Sequence, residues 1–135
     1  MKKIRVACAI IEKDGRILIS KRKPNADLAN YWEFPGGKCK RFEIIRMALR
    51  REIQEELGIS LQIQKLIKKV NYHYSTGTEH WLYFYACKIH GGKPQPRDTG
   101  ALMWLLPEEL LDLDFPPANR DLISYLFQPK IQSPD

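Results

Sequence analysis

The spacing of apolar residues changes along the chain, and each change marks an element. Residues 4–11 form a nearly unbroken β-branched and apolar run ending at Glu12-Lys13-Asp14. Lys13-Asp14-Gly15-Arg16 is a turn signal, and Ile17-Leu18-Ile19-Ser20 reads as a second strand, so a hairpin is expected. Pro24 to Tyr31 reads as a loop, and Pro35-Gly36-Gly37 as a strong breaker. From about Glu43 to Leu57 the period becomes helical. Ile45, Ala48, Leu49, Ile53 and Leu57 recur three and four residues apart, and Gly58 suits a C-cap. Two strand-like runs follow, about Gln62–Tyr74 and His80–Ile89, joined by Ser75-Thr76-Gly77-Thr78. Gly91-Gly92-Lys93-Pro94 opens a long loop, and Leu102–Leu106 is a short strand. Asp114-Phe115-Pro116-Pro117-Ala118 leads into a last helix carrying Leu122, Ile123, Leu126 and Phe127. Strands interrupted by two helices predict a single-domain mixed α/β sandwich over residues 1–135.

Composition fits that picture. The chain has 135 residues, 44% hydrophobic and 28% charged, enough for one globular core. The N-terminal apolar run is too short for a membrane span and has no small-residue cleavage site, so no membrane partner and a cytoplasmic location are expected. The three cysteines, Cys8, Cys39 and Cys87, are odd in number and lack metal-ligand spacing, which fits reduced thiols. The net charge of +6 invites a polyanion. No nucleic-acid motif accompanies it, so a small phosphorylated ligand is expected rather than a stable nucleic-acid partner.

Candidate chemistry concentrates in the first helix. Glu52, Glu55 and Glu56 lie at i, i+3 and i+4, which puts three carboxylates on one helical face. Such a face is either solvated or neutralised by a hard cation such as Mg²⁺, which bridges carboxylates and substrate phosphates. Gly36-Gly37 precedes the helix, where backbone can approach a ligand closely. Arg51 adjoins the acidic cluster and can pair with a carboxylate. The full pattern is Gly37, five residues, Glu43, seven residues, then Arg51-Glu52-Ile53-Gln54-Glu55-Glu56-Leu57-Gly58-Ile59. Seven fixed identities arise by chance on the order of once in 10⁸ placements.

This pattern matches the Nudix box at every fixed position, and the chain resembles the Nudix hydrolase family. Ala29-Asn30-Tyr31-Trp32-Glu33-Phe34-Pro35-Gly36-Gly37-Lys38 and Asp114-Phe115-Pro116-Pro117-Ala118-Asn119 are similar to its MutT-like branch of nucleotide-pool sanitising enzymes. The resemblance implies a Nudix-type α/β/α sandwich with a mixed sheet, acting as a monomer. It implies Mg²⁺-dependent hydrolysis of 8-oxo-dGTP, with Mn²⁺ as substitute, to the monophosphate and pyrophosphate. It implies metal held by Glu52, Glu55, Glu56 and the Gly36 carbonyl, with Asp98 where the branch usually offers glutamate. Glu52 is the first candidate base, Asp98 the second, and Arg51 completes the catalytic set. Arg22 and Lys38 would contact phosphates, and Phe34, Tyr74 and Asn119 would form the base pocket.

Asn119 has physics of its own. Its amide is both donor and acceptor, and oxidation turns the guanine N7 from acceptor into donor, so a bidentate asparagine can tell the bases apart. The alternative is that Asn119 caps the last helix. The chain departs from the family pattern at Phe42, where glycine is usual, and at Thr78-Glu79, where the branch has an arginine near the base. His73, His80 and His90 read as structural, and alternating Trp81, Tyr83 and Tyr85 as one strand face. The rival substrates are other nucleoside triphosphates, such as a modified pyrimidine nucleotide. A non-catalytic Nudix-like binding module is the rival outside enzymes.

Overall fold

A computed structural model describes residues 2–25 and 29–126. Phe127, expected in the last helix, lies outside these residues. The long first strand, β1 (Lys2–Lys13), is the axis of the sheet. β2 (Arg16–Lys21) folds back on its end, pairing Ile11 with Leu18 and Lys13 with Arg16. Two short strands, β3 (Trp32–Glu33) and β4 (Gly36–Lys38), precede helix α1 (Ile45–Leu57). The hairpin β5 (Ser60–His73) and β6 (Thr78–Gly91) follows, then β7 (Leu102–Leu105), a 3₁₀ turn at Pro107–Asp112, and α2 (Pro117–Leu126). The path through the sheet is β3-β2-β1-β6-β5, with β4 on β1 and β7 on β2. β1 and β6 run parallel and the other pairs antiparallel, so the sheet is mixed as expected.

β1 is apolar and buried over residues 7–11 because both of its faces are covered there. Ala7, Ala9 and Ile11 face α1 and pack with Ala48, Leu49, Ile53 and Leu57. Cys8 and Ile10 face the other way, packing with Leu110, Phe115, Leu122 and Ile123. The sandwich is therefore helix, sheet, helix. Ile53 is wholly buried, so truncation to alanine would cost about 2–5 kcal/mol.

Two boundaries around the first helix differ from the sequence reading. The Pro35-Gly36-Gly37 segment does not break structure, because Gly36–Lys38 is a strand registered against Cys8, Ala7 and Val6. A Cβ on Gly36 would lie 1.9 Å from the Ala7 carbonyl oxygen, so glycine here permits the pairing. The helix starts at Ile45 rather than Glu43, because the Glu43 carboxylate is turned back to accept the Lys40 N–H at 2.8 Å. At the other end Gly58 is the left-handed C-cap, with φ 70° and its N–H on the Gln54 carbonyl at 3.0 Å. The 3₁₀ turn, like β3, carries no strong periodic signal and is not legible in the sequence.

Candidate active site

The acidic face of α1 lies over β4. A Cβ on Gly37 would meet the Glu52 carboxyl at 2.4 Å, so the second glycine makes room for that carboxylate. The Gly36 N–H donates to Glu56 Oε2 at 3.2 Å. Arg51 organises the rest. Its Nε and Nη2 form a fork onto Glu43 at 2.8 and 2.9 Å, its Nη1 reaches Glu52 at 2.9 Å and Glu55 at 3.2 Å, and Nη2 also donates to the Lys38 carbonyl at 3.1 Å. One guanidinium thus ties the loop before the helix, the helix and β4 together. The Arg51 bonds hold the Glu43 carboxyl down at about 2.

Glu56 is in the opposite state. Burial raises its carboxyl to about 8, and the negative charges of Glu52, Glu33 and Asp98 add to the rise against the Gly36 N–H. Among the described residues no three acidic, imidazole or thiol groups converge closely enough to hold a metal ion. Glu52 and Glu55 turn to Arg51 while Glu56 turns to Gly36, which keeps the like charges apart.

Asp98 reaches this end from another element. The N–H groups of Arg97 and Asp98 donate to the Glu56 carbonyl at 2.8 and 3.3 Å, so the loop after β6 closes the last turn of α1. The Asp98 side chain is exposed and ion-paired with Lys23.

The cavity beside this cluster, about 500 Å³, runs along the β1 face turned away from α1. Arg22 and Glu33 lie at one side, joined by an ion pair at 2.8 Å, and Gly36, Gly37 and Lys38 form an edge. Burial raises the Glu33 carboxyl and Arg22 opposes the rise. Asn119, Tyr74, His80, Thr76 and Thr78 line the remainder. Asn119 is only 7% exposed, and its Oδ1 accepts the Phe34 N–H at 3.2 Å. It sits at the third position of α2 and bonds across to the strand region, so it is not the helix cap. One Oδ1 lone pair and the Nδ2 group are left for a ligand. The Phe34 ring is core, stacked on Phe115 at 5.7 Å and edge-on to Phe84 at 5.9 Å. The Tyr74 ring packs at 4.5 Å on His80 and 4.8 Å on Tyr72. Burial, and then Lys38, lower the His80 imidazole pKa.

The family profile of the NUDIX domain matches residues 1–126. The chain belongs to the Nudix family. It is 38% identical over 91% of its length to a CTP pyrophosphohydrolase of Escherichia coli, covering 90% of that protein. It is 35% identical over 93% of its length to the E. coli 8-oxo-dGTP diphosphatase, covering 98% of it. Among solved structures, the MutT NUDIX hydrolase from Burkholderia pseudomallei superposes with a TM-score of 0.81 at 30% identity, covering 92% of this chain and 98% of that one.

The Nudix box thus stands where the pattern put it, with Glu52, Glu55 and Glu56 on one face and Arg51 among them. Arg22, Lys38, Gly36, Phe34, Tyr74 and Asn119 share one cavity. Asp98 does not line it; it lies on the surface beside the last turn of α1, paired with Lys23. Sequence reasoning missed Glu33, Thr76, Thr78 and His80. His80, read as structural, also lines the cavity, since it alternates with buried Leu82 and Phe84 on the same strand face.

Proposed function

We propose that this Nudix protein is a Mg²⁺-dependent pyrophosphohydrolase of nucleoside triphosphates with 8-oxo-dGTP as its primary substrate, releasing the monophosphate and pyrophosphate and so protecting the nucleotide pool. The observation that carries this reading is one cavity lined both by the buried Asn119 amide and by Gly36 and Gly37, the two glycines that contact the Glu56 and Glu52 carboxyls. The donor set suits a hard divalent cation, being oxygen throughout: Glu52, Glu55, Glu56, the Gly36 carbonyl and, by a side-chain movement away from Lys23, Asp98. Burial first, and then the neighbouring carboxylates, hold the Glu56 carboxyl up at about 8, and a cation bound beside it would favour its ionised form. Bound there, the metal supplies charge neutralisation for the triphosphate and Lewis-acid activation at phosphorus.

The chain's own groups do the rest. Arg22 and Lys38 hold phosphate oxygens, Arg22 exchanging part of its Glu33 contact for them. Glu52 orients the attacking water and takes its proton, with Asp98 the second candidate. Arg51 acts as a positioning residue, fixing Glu52 and Glu55 while Glu43 anchors it. The free lone pair of Asn119 Oδ1 accepts the N7 proton of the oxidised base, and Nδ2 donates to O6. Ordinary guanine presents an acceptor at N7, and the mismatch costs roughly 1–3 kcal/mol in a dry pocket. Tyr74 and His80 form the wall beside the base. We place the enzyme in the cytoplasm as a monomer; among the described residues no helix is long and apolar enough to cross a membrane.

A second reading has an observation of its own. The CTP pyrophosphohydrolase relative is 38% identical, and the His80 ring with the Thr76 and Thr78 hydroxyls suits a pyrimidine edge. A screen of 8-oxo-dGTP, dGTP, CTP and dCTP with product analysis decides between them. We expect the highest kcat/KM for 8-oxo-dGTP. A higher value for CTP transfers the assignment to the cytidine reading, and no hydrolysis of any of them with Mg²⁺ or Mn²⁺ leaves a binding module.

A further inference from the structure

The face of the sheet on the α1 side is only partly covered. Along β6, Trp81, Tyr83 and Tyr85 all point to it. Tyr85 is buried beneath α1 with Arg46 over its ring at 5.1 Å, whereas Trp81 and Tyr83 emerge beyond the helix half-buried. Their cross-strand neighbours are Arg5 beside Trp81 and Lys69 beside Tyr83. The Lys69 ammonium lies 5.3 Å from both rings. The same face carries exposed Lys3 on β1 and is bordered by exposed Arg46 and Arg50 of α1. Its carboxylate, Glu79, accepts the Asn71 amide at 2.8 Å.

We propose that this face, built on Arg5, Lys69, Trp81 and Tyr83, binds single-stranded nucleic acid. Two rings on alternate positions of one strand stand ~6.6 Å apart, so each can take one unstacked base. The surrounding ammonium and guanidinium groups meet the phosphates. An acidic peptide would use the cations but leave the rings without flat partners. A second copy of this chain, at +6, would bring like charge against like. The surface lies across the sheet from the Asn119 cavity, so the inference is independent of the substrate assignment. It also revises the expectation of no nucleic-acid partner, which rested on the lack of a linear motif.

The test is fluorescence anisotropy with a labelled twelve-base oligothymidylate, titrated with the full chain at low and moderate salt. Binding should weaken as salt rises. Trp81→Ala and Lys69→Glu should each weaken it about tenfold or more, while Trp81→Phe retains most of it. Nucleotide hydrolysis and melting temperature should stay at wild-type values, and Lys69→Glu serves if Trp81→Ala proves unstable. No binding by the wild type overturns the proposal. So does binding that ignores both Trp81→Ala and Lys69→Glu, a preference for duplex, or a finding by sedimentation that the substitutions act by dissociating a dimer.

Discussion

The two ends of the candidate site, the box cluster and the cavity beside it, are built on different principles. The acidic end is charged, and a single guanidinium touches Glu43, Glu52, Glu55 and the Lys38 carbonyl. The base end is neutral and largely aromatic, assembled from the hairpin tip, β6 and the start of α2, with one asparagine bond holding α2 to the Phe34 amide. Charge repulsion shapes the first end and shape with hydrogen-bond parity shapes the second. Substitutions at the acidic end should therefore change rate for all substrates alike, and those at the base end should change preference.

The largest effect should come from Glu56→Gln, which we expect to lower kcat by roughly 10³-fold for every nucleotide, from loss of a metal ligand. It carries a pH signature as well. The folded carboxyl titrates at about 8 against 4.5 for an unperturbed glutamate, so without metal the folded state holds a proton that the unfolded chain has released. Glu56 therefore favours folding at low pH, and its contribution is lost as pH rises from 4.5 to about 8. Thermal melts in chelator should show wild-type stability declining across that window and Glu56→Gln declining less. Added Mg²⁺ should raise the wild-type melting temperature more above about pH 8 than near neutrality, since binding requires the ionised carboxylate. Parallel melting curves would remove Glu56 from this role.

Arg51→Lys comes next. Lysine cannot make the fork onto Glu43, so kcat should fall about 10–100-fold. The ratio of 8-oxo-dGTP to CTP efficiency should not move; a shifted ratio would mean that the ends are not separable. Asn119→Ala should do the reverse, reducing the 8-oxo-dGTP over dGTP ratio by about one to two powers of ten. It should also leave the Phe34 N–H unpaired and destabilise the fold by about 1–3 kcal/mol. Retained preference together with lost stability would assign Asn119 to structure alone.

The smallest effect tests the edge of the box. Phe42 adopts φ 66° and is 90% exposed, with Arg41 at 5.0 Å from its ring. A left-handed backbone explains why glycine suits this position. Phe42→Gly should raise stability by about 1 kcal/mol, the relief of Cβ strain exceeding the extra chain entropy, with little change in turnover. A drop in melting temperature would show that the exposed ring makes a contact that matters.

What can be read from the sequence follows the same division. Glu43, Arg51, Glu52, Glu55 and Glu56 lie on one helix and its lead-in, so their spacing alone places them together. β4 is unreadable because its glycines signal a breaker until the Ala7 carbonyl beside Gly36 is known. His80 reads as a lone histidine. Its alternation with Leu82 and Phe84 holds the signal, but only once that face of β6 is known to border a cavity. Glu33 gives no signal, since its site depends on Arg22 from a segment it meets only in the folded sheet. Lys23 cannot be assigned to Asp98 for the same reason.

The Asn119–Phe34 hydrogen bond has a thermodynamic reach beyond its own length. Phe34 is two residues from Gly36, whose amide holds Glu56. A base bound as proposed at the Asn119 carbonyl would therefore act on a group joined to Glu56, a proposed cation ligand, by a short stretch of backbone and two hydrogen bonds. Linkage is reciprocal, so whatever factor the identity of the base imposes on cation affinity, the cation must impose on base affinity. On the proposed function, base fidelity and cation occupancy would thus be two readings of one coupling free energy, and free-nucleotide titrations at varied cation concentration would return the same number from either side.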